Sequence, residues 1–137
     1  MMTRELIITS DVIDEPALIT RRRMSRKMGA AVNFTGVVRD AEEGSMILAL
    51  EYEAFERMAR HQFELLFVEI EKRWPVESVR LVHRIGRIPV NETSLWVEVI
   101  APHRGEAFAA CQFLIDEMKR VVPIWKKAVP EENVRRR

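Results

Sequence analysis

The hydrophobic period of this chain switches at Phe55 from that of a strand to that of a helix, and that switch restricts the folds open to it. Over MILALEYEA (46–54) the residues alternate, Ile47, Ala49, Glu51 and Glu53 against Met46, Leu48, Leu50 and Tyr52. Such alternation belongs to a strand whose two faces differ. From Phe55 to Trp74 the spacing becomes three and four, through Phe55, Met58, Ala59, Phe63, Leu66, Phe67 and Ile70. That is one face of a helix, and Pro75 ends it. A strand that feeds a long amphipathic helix needs a sheet on which the helix can lie.

The remaining segments add strands faster than helices. ELIIT (5–9), AAVNFTGVV (30–38), VRLVHRIG (79–86) and SLWVEVIA (94–101) read as strands, the last two joined by a Pro- and Asn-containing turn at 89–91. A helix is expected over 14–28, with Asp14 as N-cap, Pro16 in the first turn and Gly29 at its end. A last helix runs from about Gly105 to Val122, with Phe108, Cys111, Ile115, Met118 and Val122 along one face. DAEEGS (40–45) reads as an exposed, mobile acidic loop. The order is not a regular βα alternation, so the class is α+β. At 137 residues the chain reads as one domain, 1–137, with enough length for a real core.

Composition excludes several functions. The net charge of +1 argues against a dedicated nucleic-acid binder, and the arginine runs at 21–23 and 135–137 read as solvated faces. No apolar run approaches a membrane span of roughly 18 residues. One cysteine, Cys111, allows neither a disulfide framework nor a cysteine metal cluster, and it falls on the apolar face of its helix. His61, His83 and His103 lack metal-ligand spacing, so no metal or cofactor is expected. A reducing, cytoplasmic setting fits the cysteine usage.

What remains is a set of cations. Arg39 stands next to last in FTGVVRD (34–40); it either forks onto a phosphate or carboxylate, or is a strand-end arginine paired with Asp40 or a nearby glutamate. Gly36 in the same motif permits a bulge or a close backbone approach. His103 and Arg104 precede a helix, where they either cradle an anion or cap the helix. Lys119 is explained by the dipole of its helix end alone. Pro123 should stop that helix near Val122 and turn Trp125, Lys126 and Lys127 outward. Like charges crowded into one pocket would favour a neutral amine able to act as base or nucleophile.

Taken in order, GAAVNFTGVVRD (29–40), LALEYEAFERMA (48–59), VHRIG (82–86), APHRGEAFAACQFLIDEMK (101–119) and PIWKK (123–127) resemble the large, catalytic subunit family of molybdopterin synthase. The resemblance implies an α/β-hammerhead-type fold, an antiparallel or mixed sheet with packed helices. It implies a homodimer at the centre of a heterotetramer, with a small ubiquitin-like subunit at each end whose thiocarboxylated Gly-Gly tail enters a pocket. Sulfur would pass from that tail to cyclic pyranopterin monophosphate to build the molybdopterin dithiolene. The family's pocket residues fall on Phe34, Arg39, His103, Arg104 and Lys127 for substrate and anion binding, and on Lys119 and Lys126 for catalysis. The two halves of the pocket would come from different protomers.

Two departures stand out. The family continues PIWKK with a glutamate where this chain has Ala128, which leaves the lysines less compensated, and the chain ends at VRRR without the family's glycine- and tryptophan-containing tail. A non-catalytic relative that binds a ubiquitin-like tail as an adaptor is the alternative these departures favour. The cation set, Arg39, His103, Arg104, Lys119 and Lys126, speaks for the enzyme.

Overall fold

In the computed structural model, which describes residues 1–131, two sheets share the chain. The first holds β1 (Thr3–Thr9), β2 (Ala30–Val37), β5 (Ser78–Arg84) and β7 (Thr93–Ala101) in the order β1-β5-β7-β2. Its β1–β5 pair is parallel and the other two pairs are antiparallel. The second is built on β4 (Ser45–Ala54), which pairs β3 (Ala41–Glu42), β6 (Gly86–Pro89) and β8 (Ile124–Pro130), all antiparallel. Three helices complete the α+β architecture: α1 (Glu15–Thr20), α2 (Glu56–Arg73) and α3 (Arg104–Val121).

Alternation along β5 and β7 assigns the two faces of the first sheet. Val79, Leu81, Leu95, Val97 and Val99 join Phe63, Phe67, Ile70, Ala107, Ala110 and Leu114 of α2 and α3 in the main core. Val82 and Trp96 meet Leu18 and Ile13 on the other side. Every residue of β5 is therefore buried, as in a sheet covered on both faces. The same second face buries charge: the Glu98 carboxylate accepts from Arg80 at 2.8 Å and from Arg22 at 2.7 Å, and Arg80 lies 5.0 Å over the Trp96 ring. A smaller core under the second sheet contains Val38, Ile47, Leu50 and Ile88.

Several expectations need correction. The helix over 14–28 stops at Thr20, although Asp14 does cap it by accepting from the Ala17 N–H. The segment 21–28 has no apolar stripe to bury; Arg22 instead turns in to Glu98 and donates to Asn33. The acidic loop at 40–45 is a hairpin, with Glu43 and Gly44 at φ 50° and 83° forming the two-residue turn between β3 and β4. Residues 124–130 are strand β8 rather than an outward turn; lysines on both faces of an edge strand hide the alternation that would reveal it. The strand expected over 79–86 ends at Arg84, and Gly86 at φ 84° lets the chain leave the first sheet and enter the second as β6. Phe55, Met58 and Phe108 face outward, whereas Ala107, Ala110, Cys111, Leu114 and Met118 form the inner face of α3.

Among the described residues no helix is long and apolar enough to cross a membrane, and no three metal-ligating side chains converge. The arginine run at 135–137 and the chain end lie outside the described residues.

Candidate functional site

A cavity of about 620 Å³ opens where the two sheets meet the end of α3. Sheet one supplies Phe34 from β2 and His83 from β5; sheet two supplies Leu50 and Tyr52 from β4 and Trp125 and Lys126 from β8; α3 supplies Met118 and Lys119. Arg39 and Glu42 reach the cavity from the segment between β2 and β4. The register slip between Gly36 and Val37 bears out the bulge that Gly36 suggested and sets the course of the chain toward Arg39.

Four of the seven residues singled out in the sequence thus line one cavity: Phe34, Arg39, Lys119 and Lys126. Lys119 sits in the last turn of α3, where the helix dipole favours a cation. Its neighbour Met118 is buried in the main core and anchors that turn. Lys126 stands opposite Tyr52 in the β4–β8 ladder, so strand pairing fixes where its stem begins. Lys127, one residue on, is opposite Glu51 and points to the other face, away from the cavity.

His103 and Arg104 lie elsewhere. They begin α3 and Lys119 ends it, about 22 Å away along the axis at roughly 1.5 Å per residue. The Glu106 carboxylate accepts from both the His103 backbone N–H and its Nδ1 at 3.1 Å, which caps the helix. The His103 side chain is 83% exposed, so capping leaves most of its surface free for a contact beyond this chain.

Glu42, His83 and Tyr52 line the cavity as well, although the sequence offers none of them as a site residue. Glu42 carries the electrostatic surprise: its Oε2 is 2.7 Å from Lys126 Nζ, and its Oε1 is 4.0 Å from Arg39 Nη2. Lys126 therefore has a carboxylate partner despite Ala128, supplied by the hairpin rather than by its own strand. Glu42 falls in the acidic segment 40–45 that the sequence suggests is an exposed, mobile loop, and the β3–β4 hairpin returns it to the cavity. His83 is 4% exposed, and its Nδ1 lies 2.8 Å from the Arg84 carbonyl oxygen. A carbonyl only accepts, so Nδ1 carries the proton and Nε2 keeps its lone pair. Burial lowers the His83 pKa, with the bond to Arg84 opposing, and the imidazole is neutral at pH 7. Tyr52 stands edge-on to that ring at 5.2 Å between centroids. Burial also pushes the Cys111 thiol up to about 11, which makes it a poor nucleophile and places it in the core.

The cavity therefore offers aromatic side chains, three cations, one carboxylate and a neutral imidazole. Such a set suits an anionic ligand with a flat, partly apolar body. Comparison with known proteins finds a family and several relatives. The family model described as MoaE protein matches residues 8–121. A molybdopterin synthase catalytic subunit from Nostoc sp. is 45% identical over 100 residues, 72% of this chain and 61% of that protein. One from Arabidopsis thaliana is 42% identical over 101 residues, 74% of this chain and 51% of that protein, so the matched region spans under two thirds of both. One from Staphylococcus carnosus is 38% identical over 126 residues, 90% of this chain and 84% of that protein. The crystal structure of molybdopterin synthase from Staphylococcus aureus superposes with a TM-score of 0.81 at 33% identity, covering 96% of this chain and 93% of that one.

Proposed function

The chain belongs to the MoaE protein family, and from that membership we propose that it is the catalytic subunit of a molybdopterin synthase. In this reading 1–137 acts as one cytoplasmic domain. It takes sulfur from the thiocarboxylated tail of a small ubiquitin-like subunit and delivers it to cyclic pyranopterin monophosphate. Each delivery exchanges a sulfur for an oxygen: the tail leaves as a carboxylate, its new oxygen derived from the substrate or from water. Two deliveries build the dithiolene, and no oxidant or reductant is consumed.

The observation that carries the reading is the cavity that gathers Phe34 from β2, Arg39 from the segment after it, Lys119 from α3 and Lys126 from β8. Arg39 and Lys126 hold anionic oxygens of the substrate or of the tail, and Phe34 provides a flat wall for the pterin. Lys119, held by the end of α3, moves a proton at the reacting carbon or forms a covalent link to it. Exposed Phe55 and Trp125, edge-on at 5.9 Å, offer an apolar patch to an extended peptide. The sulfur arrives on the partner, so Cys111 has no chemical part.

His103 and Arg104 enter the reading through a second copy of the chain. In a two-fold dimer each site would draw Lys119 from one protomer and Arg104 from the other. The decisive assay mixes the protein with a thiocarboxylated small subunit and cyclic pyranopterin monophosphate and measures molybdopterin. Native protein makes product and Lys119→Ala does not. Equal amounts of Lys119→Ala and Arg104→Ala, allowed to exchange protomers, regain about a quarter of native activity if the site is shared across a dimer. No recovery assigns both residues to one protomer. No product from the native chain, with the small subunit still bound, favours the adaptor.

A further inference from the structure

The geometry points to Glu42 as a resident competitor for the anion site: its carboxylate occupies the cations of the cavity until an anionic ligand displaces it, and so sets the affinity of the site. This rests on the reading of the cavity as an anion site, but not on the reaction proposed for it.

Three observations carry it. Glu42 is the carboxylate among the lining residues of a cavity whose charged groups are otherwise Arg39, Lys119 and Lys126. It engages Lys126 at 2.7 Å and lies 4.0 Å from Arg39, so it stands between two cations rather than behind one. Its side chain is only 18% exposed, whereas Arg39 is 83% and Lys126 48% exposed. The acid is inside and the bases are partly outside, which is the arrangement of a bound anion and its ligands.

The hairpin provides a means of withdrawal. β3 contributes two residues to its ladder, Ala41 opposite Met46 and Glu42 opposite Ser45, and the turn that follows is Glu43-Gly44. Little pairing need be lost for the carboxylate to move. Arriving phosphate or carboxylate oxygens would take over Lys126 and Arg39 with the same bond types, so the exchange leaves neither cation unpaired. What the ligand gains is offset by the contact it replaces, and affinity is correspondingly reduced.

The placement of Ala128 gives an independent lever. Ala128 is two residues from Lys126 on β8 and shares its face; it also lines, together with Glu42, a second small cavity beside the first. A glutamate introduced at 128 would meet the same ammonium from along the strand, without the hairpin.

Titration calorimetry at low ionic strength tests the idea with two probes, inorganic phosphate and glycylglycine, the latter presenting a free C-terminal carboxylate. Glu42→Gln should bind at least one probe about threefold or more tightly than the native chain, with the gain shrinking as salt is added. The probe that gains identifies the ligand group that meets Lys126. Adding Ala128→Glu to Glu42→Gln should return affinity toward the native value. Glu43→Gln changes net charge equally but removes a carboxylate outside the main cavity, and should change neither affinity. Unchanged or weaker binding of both probes by Glu42→Gln overturns the inference, as does equal tightening by Glu43→Gln. Because the readout is binding, failure of the sulfur-transfer assay leaves the test standing, and intact sulfur transfer does not rescue it.

Discussion

Replacing Glu98 with glutamine tests how the face of the first sheet opposite α2 and α3 is held. Glu98 is 1% exposed and receives Arg22 at 2.7 Å and Arg80 at 2.8 Å, on separate oxygens. Glutamine keeps the shape and one acceptor but leaves two guanidinium groups facing a neutral amide whose NH₂ is itself a donor. Removing one partner of a buried ion pair costs about 3–5 kcal/mol, and the acceptor retained puts this substitution near about 3. That is a large share of a total of about 5–15 kcal/mol and should lower Tm by about 10 °C. The sign of the pH dependence follows from the carboxyl itself. Burial alone would raise its pKa, but hydrogen bonds from Arg80 and Arg22 outweigh burial and hold it below the usual range. Its contribution is therefore present above the unfolded value, about 4.3, and is lost as pH falls through the lower folded value. Urea unfolding of both proteins from pH 7 to pH 3 reads this directly: the gap between them should be widest at pH 7 and shrink in acid. A gap below about 1 kcal/mol at pH 7, or one that does not change with pH, would refute the reasoning and mean that water screens the arginines.

Other sites give simpler readings. Phe63→Ala removes a fully buried ring that stacks 6.3 Å from Phe67, and should cost about 3–5 kcal/mol in urea unfolding. Cys111, buried and with its thiol pushed up to about 11, should resist a disulfide reagent at pH 8 in the folded state and react at once in guanidinium. His83 has a lowered pKa when folded, so the unfolded chain binds its proton first and stability falls as pH drops below about 6.5. In His83→Phe that part of the acid slope should be missing from thermal melts. Gly86→Ala places a side chain in open space but at φ 84°, so it should cost about 1–2 kcal/mol, with Gly86→Asn recovering part of the loss on thermal melting.

What the sequence disclosed depended on whether a segment carried its own periodicity. Strands β1, β2, β4, β5 and β7 and helices α2 and α3 each carry an apolar run or stripe set by the cores they face, and their patterns could be read. α1 could not be bounded, because nothing local says that Arg22 leaves a helical pattern to reach a carboxylate 76 residues away. β3, β6 and β8 are short or lie at an edge, and their identity comes from β4, which all three pair. The cavity was legible as a list of cations but not as a place. Lys119 and Lys126 line one cavity; Lys127 is next to Lys126 in sequence, which in a strand means the opposite face. Glu42 was hidden for the converse reason, since the hairpin brings it to a lysine far along the chain.

The position of the cavity also explains why its charge must be managed locally. Lys119 is fixed by α3 packing into the main core, whereas Lys126 belongs to a ladder whose strand β4 packs into the smaller core. The sheets are joined by the Gly86 corner, and the short link from Val122 to Ile124 joins α3 to the second sheet, with the Phe55 N–H donating to the Pro123 carbonyl at 3.1 Å. The two lysines are thus held by different packing units, and repulsion between them bears on the junction of those units. A carboxylate within either core would need full pairing there, as Glu98 has, and would be unavailable to exchange. A carboxylate on a two-residue strand at the edge of the cavity balances the cations when no ligand is bound and can leave when one arrives. Glu42 is placed to do so, and this is why a substitution that tightens anion binding is expected in the hairpin rather than among the lysines.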